Sequence, residues 1–288
     1  MVEVRKAVIP AAGLGTGFLP ATRAMPKEML PIIDKPIIQH VVEEAIAAGI
    51  DDILIVTGRG KRAVEDHFDR NPELENTLLQ RDEKAVLEQM NHLTDKADIF
   101  YVRQKEPKGL GHAIGKARKH VGREPFVVML GDTITPASAC TKPIIELYKK
   151  HKSPIIGVEE VPIEMSKFYG MVGGKKLDDG VWEINSMIEK PEPKNAPGNL
   201  AIWGRYLLTP EIFDFIEKTK PGAKGEIQLT DAMSNHLKSG QKYFAYVMRD
   251  KRYDIGKRLQ YFKAFVEFAL ERPDIGRDAR EYLKGLKL

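Results

Sequence analysis

Three groups of residues have types and spacing suited to chemistry on phosphates. The first is a run of small residues, Ala11-Ala12-Gly13-Leu14-Gly15-Thr16-Gly17, directly after an apolar run. Backbone N–H groups in such a run can approach a phosphate that bulky side chains would hold off. It is not a Walker loop, because no Gly-Lys-Ser/Thr follows, and Phe18 stands where a dinucleotide fingerprint needs its third glycine. A plain glycine turn remains the alternative. Lys27 follows in the proline-braced segment 26–31, suited to a polyphosphate, the alternative being a solvated lysine with its stem lying on apolar surface. The second group is Asp132, after the apolar run 126–130, and Asp254 in Tyr-Asp-Ile-Gly. Either alone reads as readily as a turn or N-cap aspartate. The third is Gln104 with Gly109, where an amide could meet a base edge and a glycine could admit the ring, or Gln104 could be a surface polar residue.

These residues need a scaffold, and hydrophobic periodicity predicts one. Residues 4–10 and 53–57 read as buried strands, and 99–102 and 126–130 as a third and a fourth strand. Pro36 opens a helix with Ile37, Val41, Ala45 and Ala48 on one face, and Gly49 stops it. Further helices are predicted over 73–93 and 113–121. Apolar strands alternating with amphipathic helices predict an α/β fold, a doubly wound and mostly parallel mixed sheet covered on both faces. Ligands then bind beyond the carboxyl ends of the strands, which brings together the loops after Ile9, Val102 and Leu130. From about Ser153 the pattern becomes α+β: strands over 155–160, 171–172, 181–189, 200–208 and 243–248, with helices over 211–218, 229–237 and 259–270. The expectation is a single domain over 1–288, with a first half to about 150, a second over 151–258 laid over the sheet, and C-terminal helices over 259–288.

Composition narrows the classes. The 288 residues carry 45 Lys plus Arg against 41 Asp plus Glu, a net charge of +4. That balance excludes an acidic disordered chain, and no basic tail points to nucleic acid. The single Cys140 excludes an internal disulfide and a cysteine-rich zinc cage, and fits a reducing compartment. No apolar run is long enough for a bilayer, and MVEVRKAVIP does not read as a signal peptide, so a cytoplasmic location is expected. Hydrolase signatures G-x-S-x-G and H-E-x-x-H are missing, and the seven histidines show no metal-ligand spacing. His112 reads as structural, not as a general base, and the broken fingerprint disfavours a nicotinamide oxidoreductase.

Read in order, the motifs become specific. Ala11 to Gly17 leads through Leu19-Pro20-Ala21-Thr22-Arg23 to Pro26-Lys27-Glu28-Met29-Leu30-Pro31. Then come Arg103-Gln104-Lys105-Glu106-Pro107, Gly109-Leu110-Gly111-His112-Ala113, Leu130-Gly131-Asp132, Tyr169-Gly170 and Glu189-Lys190-Pro191. Gly225-Glu226-Ile227-Gln228-Leu229-Thr230-Asp231 and Arg252-Tyr253-Asp254-Ile255-Gly256 close the series. Over nearly its whole length the chain resembles the bacterial UTP–glucose-1-phosphate uridylyltransferases, within the sugar-phosphate nucleotidyltransferase family.

The resemblance implies a Rossmann-like nucleotidyltransferase fold. It also implies UMP transfer from UTP to glucose 1-phosphate, giving UDP-glucose and pyrophosphate, by in-line attack assisted by Mg2+. Catalysis of that kind is alignment and charge neutralisation. The resemblance assigns Lys27 and Lys190 to catalysis, and Ala11, Ala12, Gly13, Gly15, Glu28, Gln104 and Gly109 to the nucleotide. Gly170, Glu189 and Lys190 are assigned to the sugar phosphate, and Asp132 and Asp254 to Mg2+. It leaves the Glu226 to Asp231 segment without a chemical task. A homodimer or homotetramer is implied too, with amphipathic stretches over 262–270 and 282–286 as candidate surfaces, or as faces packed on their own domain.

Two departures from the family pattern stand out. Gly17 occupies the position of an arginine that would grip the triphosphate, a loss worth about 10²–10³ in rate. Gly17→Arg is accordingly expected to raise a detectable but low turnover by at least about tenfold. Thr133 stands where relatives show a second aspartate, which bears on support of the metal site. The competing readings are a weakened relative retained to bind a nucleotide sugar as a regulator, or a member using dTTP or another hexose 1-phosphate.

Overall fold

Along the first strands, apolar side chains alternate between two faces, and that alternation sets the layers of the molecule. The computed structural model describes residues 3–286, apart from 92, 94, 137–139 and 223–224. The chain runs through β1 (Lys6–Pro10), β2 (Pro31–Ile32), β3 (Lys35–Pro36), α1 (Ile37–Ala47), β4 (Asp52–Thr57), α2 (Arg62–Phe68), α3 (Pro72–Gln80) and α4 (Lys84–Asn91). Next are β5 (Asp98–Arg103), α5 (Leu110–Gly115), α6 (Arg118–Val121), β6 (Phe126–Met129), β7 (Thr133–Ile134), α7 (Lys142–His151) and β8 (Ile155–Glu160). It ends with β9 (Gly170–Asp178), β10 (Val181–Glu189), β11 (Leu200–Leu208), α8 (Ile212–Lys218), α9 (Leu229–Lys238), β12 (Tyr243–Val247), β13 (Tyr253–Asp254), α10 (Arg258–Glu271) and α11 (Gly276–Gly285).

Among the described residues the main sheet has nine strands in the order β5-β4-β1-β6-β11-β8-β12-β10-β9. The strands β5, β4, β1 and β6 are parallel, with Ile9 opposite Ile55 and Val8 opposite Val128. Ile9, Ile53, Ile55, Val127 and Met129 face one apolar cluster with α1, α7 and α10. Val8, Leu54, Val56, Phe126 and Val128 face a second cluster with α5, α8 and α9. Both faces of β1, β4 and β6 are therefore buried, which is why these three read as continuous apolar runs, whereas the edge strand β5 is half exposed.

Four expectations are corrected here. Beyond β6 the sheet is not mostly parallel: β11 runs antiparallel to β6 and to β8, and β10 runs antiparallel to β12 and to β9, while β8 and β12 are parallel. Nor does the second half lie over the sheet. It extends the same sheet, because the fully buried strand β6 would otherwise leave an unpaired backbone edge inside the core. The stretch 73–93 is not one helix: Asp82, at φ 58°, separates α3 from α4. The stretch 113–121 likewise divides into α5 and α6. Helix α7 escaped the sequence reading although Ile144, Ile145 and Tyr148 share a buried face behind Pro143. The two-residue ribbon of β7 and β13, which pairs Thr133 with Asp254, is too short to leave a pattern.

His40 of α1 joins this frame to the C-terminal helices, with its ring edge-on to Phe268 of α10 at 5.0 Å between centroids. Its buried Nε2 meets no hydrogen-bond partner among the described residues, and burial lowers its pKa to about 4. An unfolded histidine takes up its proton near pH 6.5, before the folded one does. Stability from this site is therefore present above about pH 6.5 and is lost as the pH falls toward 4, by up to about 3 kcal/mol. In urea titrations His40→Phe is expected to flatten the loss between pH 7 and pH 5; an unchanged pH dependence would remove His40 as its source.

Candidate active site

Where β1 and β6 lie side by side, the chain leaves the first toward β4 on one side and the second toward β8, beyond β11, on the other. Such a divergence opens a crevice past the strand ends, where ligands bind in open α/β sheets. The two exit loops are in contact here: a Cβ on Gly131 would stand 3.0 Å from the carbonyl oxygen of Pro10. The Ala11 N–H is committed to Val56 O at 2.9 Å, whereas those of Ala12, Gly13 and Leu14 meet no protein acceptor among the described residues. They border a cavity of about 430 Å³ that is also lined by Thr16, Lys27, Glu28, Gly109, Asp132 and Glu226. Ala11 and Gly15 do not line this cavity. The Gly15 carbonyl accepts from Thr22 Oγ1 at 2.6 Å, which fixes the turn of the loop.

The charges are closely matched. Lys27 lies along Gly13, and its ammonium pairs with Asp132. Burial alone would lower the lysine pKa, but Asp132, with Glu28 and Asp254 further off, outweighs it and holds it above the ordinary value. Glu28 is buried and accepts from Lys61 Nζ at 2.5 Å. Burial nevertheless leaves its carboxyl above the usual range. Lys61 is thus a site residue that the sequence reading missed. A lysine at the mouth of a helix carries no local signal that it is buried against a carboxylate.

Gln104 is buried, and its backbone N–H donates to Thr57 O at 2.8 Å. Its side-chain Nε2 donates to Gly109 O at 3.2 Å and to His112 Nδ1 at 2.8 Å. Burial, with Lys116 and Lys108 nearby, lowers the His112 pKa and keeps the ring neutral enough to accept. Both amide protons are therefore taken, and only the carbonyl oxygen remains to offer. Gly109 has φ 99°, and a Cβ there would meet Ile227 O at 2.7 Å. The close approach is made by the 225–231 motif: Ile227 N donates to Lys108 O, and Gly111 N donates to Ile227 O, both at 2.8 Å. The segment without a task in the sequence is thus a strap across this loop.

The strap continues into a second cavity of about 290 Å³, lined among others by Tyr169, Gly170, Glu189, Lys190, Thr230, Arg252 and Asp254. Thr230 Oγ1 donates to Glu189 Oε2 at 2.6 Å, and Lys190 Nζ lies 3.2 Å from Glu189 Oε1. A Cβ on Gly170 would stand 2.9 Å from Ile202 Cδ1 and Thr230 Oγ1 and 3.0 Å from Glu189 Oε2, so glycine keeps this wall of the cavity uncrowded. Arg252 is held over the Tyr169 ring at 4.7 Å and pairs with Glu159, a contributor the sequence quoted but did not assign. Leu110, Leu130, Asp132 and Glu226 line both cavities, which therefore meet at Asp132. A further cavity of about 430 Å³ beside His67 and Arg70 contains none of the candidate residues.

The two aspartates are brought together by backbone. Asp254 pairs with Thr133 across the β7–β13 ribbon, and Ile255 N donates to Asp132 O at 2.8 Å. A Cβ on Gly256 would stand 3.0 Å from Asp254 Oδ1 and 3.8 Å from Asp132 Oδ2, so the missing side chain leaves a cradle between the carboxylates. Among the described residues no cluster of three or more Asp, Glu, His or Cys forms. Two carboxylates completed by phosphate oxygens and water are the donor set suited to Mg2+. Lys257 Nζ lies 3.3 Å from Asp254 Oδ2, another site cation outside the sequence reading.

The departures take on a physical form. Thr133 is buried, with Oγ1 turned toward Gly204 on β11, 3.4 Å from where a Cβ would stand. A Cβ on Gly17 would stand 2.8 Å from Gly256 O, and Arg258 Nε donates to Gly17 O at 3.1 Å. Glycine at 17 lets the 11–17 loop close onto the Asp254 loop. A larger residue there requires Gly256 to shift, so Gly17→Arg is not the simple gain that the sequence suggested.

Comparison with known proteins places this geometry. A family model described as nucleotidyl transferase matches residues 6–270. The chain is 49% identical over 289 residues to a UTP–glucose-1-phosphate uridylyltransferase of Staphylococcus epidermidis, covering 100% of both chains. It is 50% identical over 287 residues to one from Bacillus subtilis, covering 99% of this chain and 98% of the other. The crystal structure of a UDP-glucose pyrophosphorylase complexed with UDP-glucose superposes with a TM-score of 0.85 at 43% identity, covering 93% of this chain and 100% of the other.

Proposed function

The chain belongs to the nucleotidyl transferase family, and we propose that it transfers UMP from UTP to glucose 1-phosphate, releasing pyrophosphate and UDP-glucose. The observation that carries this reading is the meeting of two cavities at Asp132, one walled by open backbone N–H groups and the other by Glu189 and Lys190. In-line transfer needs an anionic donor and an anionic acceptor held end to end, with their repulsion neutralised.

The nucleotide occupies the larger cavity, its phosphates against the N–H groups of Ala12 and Gly13 and its base toward Gly109. The Gln104 carbonyl oxygen is left to accept from the N3–H of uracil, a group that cytosine lacks. In the smaller cavity the Glu189 carboxylate accepts from sugar hydroxyls, and Lys190 counters the sugar phosphate. Asp132 and Asp254 would hold a divalent cation, assigned as Mg2+, which when bound neutralises phosphate oxygens and aligns them. Lys27, alongside Gly13, adds positive charge on the triphosphate side. The absence of a membrane-crossing helix among the described residues is compatible with a cytoplasmic enzyme. On α10 and α11 the large apolar or aromatic side chains Leu259, Phe262 and Tyr282 are exposed, and we assign them to contact with a second copy of the chain.

Purified protein given UTP, glucose 1-phosphate and Mg2+ is expected to release pyrophosphate. Asp132→Ala should lower that rate about 10²–10³-fold. Release only with dTTP, or only with another hexose 1-phosphate, would reassign the substrate; binding of UDP-glucose without any release would favour a regulator.

Gly17 is read as lowering turnover, and two variants separate charge from crowding. Gly17→Ala introduces only the Cβ and is expected to cost about 1–3 kcal/mol in urea unfolding. Gly17→Arg introduces the same Cβ with a guanidinium, and should turn over about tenfold faster than Gly17→Ala. Equal rates would show that position 17 carries no charge requirement.

Phe262→Glu is expected to shift the protein to a smaller species in light scattering. A monomeric parent protein would rule out the oligomer.

A further inference from the structure

Strand β11 loses its register with β8 between Ile202 and Tyr206, at Gly204, whose φ of 97° suits glycine alone. The next residue, Arg205, is fully buried. Its Nε and Nη2 donate to the two carboxylate oxygens of Glu44 on α1 at 2.9 and 2.6 Å. Nη2 also donates to Thr133 O at 2.8 Å, and Nη1 to Gly204 O at 3.1 Å and Leu130 O at 3.5 Å. All five guanidinium N–H groups are thereby used. Two of the acceptors, Leu130 O and Thr133 O, lie on either side of Asp132. Thr133 N donates back to Leu130 O at 3.2 Å, closing the turn around the guanidinium.

A buried ion pair is not explained by stability, since well-packed apolar residues commonly serve as well or better in its place. What the pair supplies here is direction. Carbonyl oxygens at the end of a buried strand need donors, and a lysine or an apolar side chain could not reach both flanks of Asp132 at once. Glu44 holds the fork in its plane and is itself met by Cys140 Sγ at 2.8 Å and Thr141 Oγ1 at 2.5 Å. The order extends outward, because Asp132 O in turn accepts from Ile255 N beside Asp254.

We propose that Arg205, oriented by Glu44, is the positioning residue for Asp132, fixing the Leu130–Thr133 turn so that the carboxylate faces Asp254 before any ligand arrives. The proposal rests on reading Asp132 as a cation ligand. Arg205 touches neither substrate cavity and acts only through the turn.

The test uses the full chain with two variants. Glu44→Leu/Arg205→Met removes the pair and keeps the interior apolar, while Arg205→Lys keeps the charge and removes the fork. Two readouts need no turnover: amide hydrogen exchange at Thr133 and Ile255 in the ligand-free protein, and Mn2+ affinity with UTP present, followed by electron paramagnetic resonance. In the double variant both amides should exchange faster, and Mn2+ affinity should fall about 10- to 100-fold. The KM for glucose 1-phosphate should move less than about twofold. Arg205→Lys should lie between the parent and the double variant, and it decides by the same readouts if the double variant does not fold. A folded variant with unchanged exchange and unchanged Mn2+ affinity would overturn the proposal. If Asp132→Ala itself keeps full Mn2+ affinity, the cation reading fails; the exchange readout still judges whether Arg205 holds the turn.

Discussion

Between β1 and β6 the chain leaves neighbouring parallel strands in opposite directions, and the rest of the site is arranged around that divergence. One exit loop is held by backbone: Ala11 N reaches Val56 O, and the next N–H groups are left open to the crevice. The other exit ends in Asp132 and is held from below by the Arg205 guanidinium. The 11–17 loop and Asp132 are therefore anchored to two buried, neighbouring strands of the sheet. Such an origin limits the motion of the reacting geometry without requiring rigid loops.

Charge is arranged by the same economy. With 45 basic against 41 acidic residues, the chain has no overall field to concentrate anions. The cations at the crevice are placed singly, each against a carboxylate: Lys27 with Asp132, Lys61 with Glu28, Lys190 with Glu189, and Lys257 with Asp254. A lysine held by an acid stays ordered in the ligand-free molecule, and an incoming phosphate exchanges one anionic partner for another. The pairing also explains why a global count of charge said little about binding. Gly17 stands outside this scheme, because its small size serves the contact with Gly256 and contributes no cation.

The parallel half was legible because β1, β4 and β6 are buried on both faces, so Val8 and Ile9, or Val127 and Val128, report burial directly. The second half was less so. Its strands are recognisable one by one, yet strand pairing is a contact between distant segments and leaves no local trace. Whether β11 would cover the sheet or extend it was decided by the exposed hydrogen-bonding edge of β6. The break at Asp82 and the two-residue ribbon at Thr133 and Asp254 depend on one or two backbone angles, below the reach of periodicity.

The sequence by itself determined the chemistry available: small residues after a buried strand, a lysine braced by prolines, and carboxylates and an amide in recognisable motifs. These are local facts, and residue type with near spacing suffices to state them. Only the tertiary structure decided how they are used. It turned the 225–231 motif into a strap, made His112 the acceptor that orients Gln104, and set Lys61 under Glu28. It also placed Arg205, whose partner Glu44 lies on a helix far away in the chain, beneath Asp132. Burial, and the demand that every buried donor and acceptor find a partner, act through space and not along the chain.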